Sequence, residues 1–159
     1  GFTYIGELSG TVSERIKQIS NDLGSNGVVC NIVTNIEEYV WLKTIINSAI
    51  NPIAALAEVK NGELKRPELY EKIKEICEES KYITEKKGIK LPLNPWKEIN
   101  SIIDKTANNK CSMLQDLENN KQTEIEAING ELIRIAKELS INPIHNQQVF
   151  SEIYQLSKY

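Results

Sequence analysis

Three polar residues interrupt the apolar stretch WLKTIINSAINP, and they stand four apart: Lys43, Asn47 and Asn51. At about 100° per residue they share one narrow stripe of a helix, while Trp41, Leu42, Ile45, Ile46, Ala49 and Ile50 cover most of the remaining circumference. A solvated face would be wider and richer in charge, so the spacing predicts a lysine half-buried at the wall of a cleft. A lysine held there can neutralise charge that develops on an oxygen and then supply a proton, and desolvation eases the loss of that proton. The two amides can hold carbonyl and hydroxyl oxygens without adding a competing charge. Pro52 comes next; it removes a backbone donor and frees the carbonyl of Ser48, so a kink is expected beside the stripe.

Two further candidates lie downstream. Ser112, in CSMLQD, precedes a short helical run, and Glu124, in TEIEAING, takes the first position of a helix, where free amides and the macrodipole stabilise a carboxylate. Taken singly, each candidate has an ordinary structural explanation: a helix cap for Ser112 and Glu124, a snorkelling core-edge side chain for Lys43.

The elements that must position these residues are mostly helical. GFTYIGE and GVVCNIVT read as short strands, and VSERIKQISNDLG between them as a helix with Val12, Ile16, Ile19 and Leu23 on one face and Gly24 as its stop. Residues 1–34 thus form a strand–helix–strand unit, too small to be a domain by itself, and residues 35–159 read as helix throughout. Pro67 opens a helix with Leu69, Ile73, Ile76 and Cys77 inward, closed by Lys86, Lys87 and Gly88. Asn94 and Pro95 open another that buries Trp96, Ile99, Ile102 and Ile103. A capping box of Thr123 and Glu126 starts a long helix through Leu139, and Asn146 is placed to cap the last one. The expectation is a mainly α chain, a bundle of five or six helices behind a small α/β remnant.

Composition narrows the function classes. The chain has 159 residues, 19 basic and 22 acidic, well mixed and with a net charge of -3. That excludes the basic patch that nucleic acid requires. Three cysteines without CxxC spacing and a single histidine, His145, argue against a disulfide framework or a zinc site and for reduced thiols in a cytoplasmic protein. The longest apolar stretch, 39–59, is broken by Lys43, Asn47, Asn51, Pro52 and Glu58, so no membrane span is expected. The chain begins without Met or a signal-peptide pattern and reads as cut or processed at its start.

Taken together, K-x3-N-x3-NP, VKNGEL ten residues on, SMLQD and TEIEAING resemble the C-terminal domain of the ketopantoate reductase (2-dehydropantoate 2-reductase) family, over nearly the whole chain. The resemblance implies a helical bundle of the 6-phosphogluconate dehydrogenase C-terminal-domain-like type, preceded by the last strands of a Rossmann domain. It implies reduction of ketopantoate by NADPH in the route to pantothenate and coenzyme A. It assigns Lys43 as the catalytic lysine, Asn47, Asn51 and Asn61 as substrate-binding asparagines, and Ser112 as the contact of the substrate carboxylate. Glu124 becomes the acid near substrate and nicotinamide, catalytic and cofactor-binding at once. One departure is Lys121, where relatives often carry arginine; lysine does not replace arginine in a bidentate contact.

The chemistry of the residues agrees with that assignment. Hydride delivery to a ketone leaves negative charge on oxygen, which calls for a nearby positive group and then a proton. No G-x-G-x-x-G follows a strand in the chain, so NADPH is expected to be held mainly by an N-terminal Rossmann domain of the same enzyme, and this chain alone to be inactive. Two rival readings remain: a paralogous reductase of another 2-oxo acid, and a non-catalytic helical module that dimerises. NADPH against NADH preference and the oligomeric state, a homodimer included, stay open.

Overall fold

The structure, a computed structural model, describes residues 3–156 and divides into two compact units that meet in sequence at Trp41 and Leu42. In the first, β1 (Thr3–Ile5) and β2 (Cys30–Ile32) pair in parallel, with Thr3 opposite Cys30, Tyr4 opposite Asn31 and Ile5 opposite Ile32. A parallel pair needs a crossover, and α1 (Glu14–Ser25) supplies it. Ser13 caps α1 by accepting from the Ile16 amide at 3.2 Å, and its hydroxyl donates to Glu7 at 2.5 Å. The Arg15 guanidinium pairs with the same carboxylate, and these two donors hold Glu7 below the usual carboxylate range. Gly24 does not stop the helix. α1 runs through Ser25, and Gly27 takes the left-handed turn with φ +81°, so the closing glycine lies three residues beyond the expected one. Of the anticipated apolar face only Ile16 is buried, whereas Val12 and Ile19 are exposed.

The second unit is built on α2 (Ile36–Leu56), which runs unbroken with Pro52 inside it. Its turns from Leu42 onward are buried nearly all round, with Ile45, Ala49 and Ala54 wholly enclosed. A helix apolar on most sides must be covered on most sides. Ile73, Ile76 and Cys77 of α3 (Pro67–Lys86), Ile99 and Ile103 of α4 (Pro95–Lys105), Met113 and Leu114 of α5 (Ser112–Glu118) and Val149 and Ile153 of α7 (Ile144–Leu156) join it in one apolar core. Each enclosed isoleucine stabilises the bundle by about 1.5–3 kcal/mol. A 3-10 turn, Asn61–Lys65, links α2 to α3.

Several boundaries follow the anticipated chemistry. Pro67 opens α3, Gly88 turns the chain after it with φ +91°, and Asn94 caps α4 by accepting from the Lys97 amide at 3.0 Å. Other boundaries differ. The stretch after Thr123 is no uninterrupted α-helix: residues Glu126–Gly130 form a π-helical turn, and α6 proper is Glu131–Glu138. Nor does Asn146 cap α7. It lies inside the first turn, wholly buried, and the cap comes from Glu79 of α3, whose carboxylate accepts from the His145 amide at 3.1 Å and the Asn146 amide at 2.8 Å. A carboxylate at a helix N-terminus also meets the positive end of the dipole. No helix among the described residues is long and apolar enough to cross a membrane.

Candidate functional site

Along α2 the polar stripe descends from solvent into the interior. Lys43 is exposed, Asn47 half-buried and Asn51 only 6% exposed. The sequence places Lys43 half-buried at a cleft; in the structure only the inner end of the stripe is enclosed, because the face that carries the lysine stays open although Leu42, Ile45 and Ile46 around it are buried. Among the described residues no ion pair or side-chain hydrogen bond engages Lys43, and none engages the amides of Asn47 and Asn51.

Ser112 reaches the inner end of this stripe through its neighbour. The Cys111 thiol lies 3.5 Å from the Asn51 carbonyl, to which it donates, and its sulfur accepts from the Leu114 amide at 3.4 Å. Cys111, not Ser112, is therefore the cap of α5, and burial pushes its thiol up from the ordinary range. That corrects the capping explanation of Ser112: the serine occupies the first helical position, exposed, with no hydrogen-bond partner for its hydroxyl among the described residues.

Asn61 is 6% exposed and tied to the loop that leads into Ser112. Its side-chain amide donates to Thr106 at 2.8 Å and its backbone amide to the Asn109 carbonyl at 3.0 Å, while Gly62 donates to the Ala107 carbonyl at 2.9 Å. The glycine is needed there, since a Cβ at residue 62 would lie 2.9 Å from the Cβ of Ala107 and 3.0 Å from its carbonyl oxygen. The side-chain oxygen of Asn61 is buried with no partner in the structure, an acceptor left open. The segment 106–112 thus ties the Asn51 backbone, through Cys111, and Asn61, through Thr106 and Asn109, to the chain that leads into Ser112.

No hydrogen bond among the described residues joins the Glu124 side chain to that set. Glu124 sits at a bend one residue before the helical turns, where its carbonyl accepts the first helical bond, from Ile128 at 3.0 Å; it takes the cap position, one earlier than its sequence placing. Its side chain is exposed, and no ion pair joins it to Lys43. What relates its segment to α2 is Asn129, five residues on.

The amide of Asn129 donates to the carbonyl of Ser48 at 3.1 Å and to the side-chain oxygen of Asn146 at 2.9 Å. Asn146 donates to Glu79 at 2.8 Å and to Ser80 at 3.1 Å, and the Ser80 and Ser48 hydroxyls are 3.1 Å apart. Ser48, Ser80, Asn129 and Asn146 are all 0% exposed, so this is a polar network inside an apolar bundle. None of these residues was singled out from the sequence as a functional candidate. One signal for them was present: Pro52 frees the Ser48 carbonyl, and a buried free carbonyl requires a donor from elsewhere. A separate groove of about 430 Å³ is lined by Ile53, Leu69, Ile76, His145, Val149 and Glu152, among others, and contains none of the candidate residues.

Residues 35–157 match the family profile described as "Ketopantoate reductase PanE/ApbA C terminal". A 2-dehydropantoate 2-reductase of Archaeoglobus fulgidus is 36% identical over 152 residues, which is 95% of this chain and 51% of that protein. A solved ketopantoate reductase of this family from Ralstonia eutropha superposes with a TM-score of 0.86 at 23% identity, covering 99% of this chain and 51% of its own. A D-mandelate dehydrogenase solved with NADH and anilino(oxo)acetate superposes with a TM-score of 0.89 at 19% identity, over 98% of this chain and 66% of its own; that likeness is one of fold. The chain spans about half the length of the Archaeoglobus relative.

Proposed function

Because the chain belongs to the ketopantoate reductase family, matching its C-terminal domain, we propose that it forms the substrate-binding and proton-donating half of an NADPH-dependent 2-dehydropantoate 2-reductase. The supporting observation is the descending stripe of Lys43, Asn47 and Asn51, whose side chains no described residue engages and whose inner end is bonded, at the Asn51 carbonyl, to Cys111 next to Ser112.

In this reading the inner amides hold the oxygens of the oxo acid and Ser112, relieved of capping, meets its carboxylate. Lys43 faces the ketone oxygen, stabilises the negative charge that builds there, and gives it a proton. Glu124 would orient the lysine and meet the nicotinamide once substrate and cofactor are bound. NADPH supplies the hydride when bound. Among the described residues the turn between β1 and α1 carries Gly6 and Gly10, without the G-x-G-x-x-G spacing that cradles a pyrophosphate. The described residues thus offer no cradle for the phosphates, which a cofactor domain of the same enzyme would hold while Glu124 would face the nicotinamide.

The test is Lys43→Ala in an enzyme that carries this segment with a cofactor domain. A fall in kcat of roughly 10²- to 10⁴-fold toward ketopantoate is expected, with NADPH affinity nearly intact, since a positioned general acid contributes about that much. Near-parental kcat returns Lys43 to a surface side chain and removes the mechanism.

A further inference from the structure

Pro52 has no N–H, so the Ser48 carbonyl one turn earlier lacks the donor four residues on that an α-helix would give it. The structure fills that vacancy from outside: the Asn129 amide reaches Ser48 at 3.1 Å, with both residues 0% exposed. The direction of the bond is not arbitrary. Glu79 offers only acceptors to Asn146, so Asn146 turns its nitrogen toward Glu79 at 2.8 Å and its oxygen toward Asn129 at 2.9 Å. The Asn129 nitrogen thus faces two acceptors, and the flipped amide would set oxygen against oxygen on both sides. Its own oxygen is buried without a partner, so this amide is held for its two donors. The π-helical turn Glu126–Gly130 contains it and begins two residues after Glu124, and π turns mark places where a helix gives up regularity to aim a residue.

We propose that Asn129 is a positioning residue that stands in for the missing Pro52 amide and locks the segment headed by Glu124 to the helix that carries Lys43, Asn47 and Asn51. It touches no substrate. The geometry it sets matters for turnover because displacement of reacting groups by about 1 Å can cost on the order of 10²-fold. The link between Asn129 and Ser48 stands on its own, whereas its effect on turnover rests on the reductase reading.

A double-mutant cycle tests it. Asn129→Ala strands the Ser48 carbonyl and should raise the unfolded fraction roughly ten- to a hundredfold in urea titration of the chain. Pro52→Ala restores an N–H four residues after Ser48, so in its background the same substitution should cost at least several-fold less. If Asn129→Ala does not fold alone, recovery of the fold on adding Pro52→Ala is the same coupling read as rescue. In the enzyme, Asn129→Ala should lower kcat/KM for ketopantoate about tenfold, with partial recovery in the double variant and an unchanged KM for NADPH. Additive stabilities, or no rescue, overturn the link. Coupled stabilities with unchanged kcat/KM overturn the positioning role. A parental enzyme inactive on ketopantoate removes the proposed function and leaves the stability cycle to decide the link.

Discussion

Gly62→Ala isolates how tightly Asn61 is held. A Cβ at residue 62 would sit 2.9 Å from the Cβ of Ala107, 3.0 Å from its carbonyl oxygen and 3.2 Å from its Cα, where ordinary contact begins at 3.4 Å. All three atoms are backbone or attached to it, so no side chain can swing away. The turn and the loop must separate by about half an ångström, and three hydrogen bonds span that gap: Gly62 to Ala107 at 2.9 Å, and Asn61 to Asn109 at 3.0 Å and to Thr106 at 2.8 Å. Overpacking of this kind costs about 1–3 kcal/mol. Against it stands a gain of about 0.4–1 kcal/mol from a stiffer unfolded chain. The midpoints of the two ranges leave a loss of roughly 1.3 kcal/mol, a fall of about 3–5 °C in Tm for a chain of this size. Gly24→Ala is the control: nothing lies within 4 Å of its Cβ, it sits in the last turn of α1, and alanine there should stabilise by about 0.5–1 kcal/mol. Thermal unfolding by circular dichroism reads both variants, and KM for ketopantoate should rise in the first alone. A Gly62→Ala protein as stable as its parent would show that the 106–112 loop yields freely and that Asn61 is not fixed by it.

Ser112→Ala should leave stability within about 0.5 kcal/mol, because Cys111 caps α5, while raising KM for ketopantoate; a clear loss of stability with unchanged KM would reinstate the serine as a structural residue. Thiol labelling should follow burial. Cys30 is half-buried and should react first, whereas burial pushes Cys77 from its ordinary 9.0 up to about 12 and raises Cys111, so both should label only with unfolding. A thiol whose pKa is raised by folding contributes its stability in full below pH about 9 and loses it as pH climbs toward 12. Rapid reaction of all three at pH 8 in the folded protein would contradict the packing.

Helix positions were legible where the signal was local. Pro67 and Gly88 act through their own backbone, Asn94 caps through its own side chain, and Ile73, Ile76, Ile99 and Ile103 recur at core spacing, so their elements follow from a short window of residues. Two of the differences involve partners far along the chain. The α7 cap is supplied by Glu79, 67 residues before Asn146, and the Ser48 carbonyl is met by Asn129, 81 residues on. Cys111 capping α5 was hidden for another reason: a thiol is a weak acceptor, and the serine beside it is the usual choice. The candidate residues themselves were legible through polar types at helical spacing and through resemblance. Their exposure was not, since it depends on which neighbours the bundle brings over each turn.

The descent of the α2 stripe from solvent to interior has a thermodynamic consequence. Asn51 is enclosed before any ligand arrives, so little rotational freedom remains for it to lose on association. Lys43 keeps four rotatable bonds in water, and fixing such a side chain costs about 1.5–2 kcal/mol. A molecule that reaches only the inner end meets an ordered surface and avoids that penalty. One that also recruits the ammonium must offset it with charge of its own. In the proposed reading, residence would thus be set at the deep end of the helix, and the outer end would select, among the molecules that lodge there, those with an oxygen able to hold the lysine still.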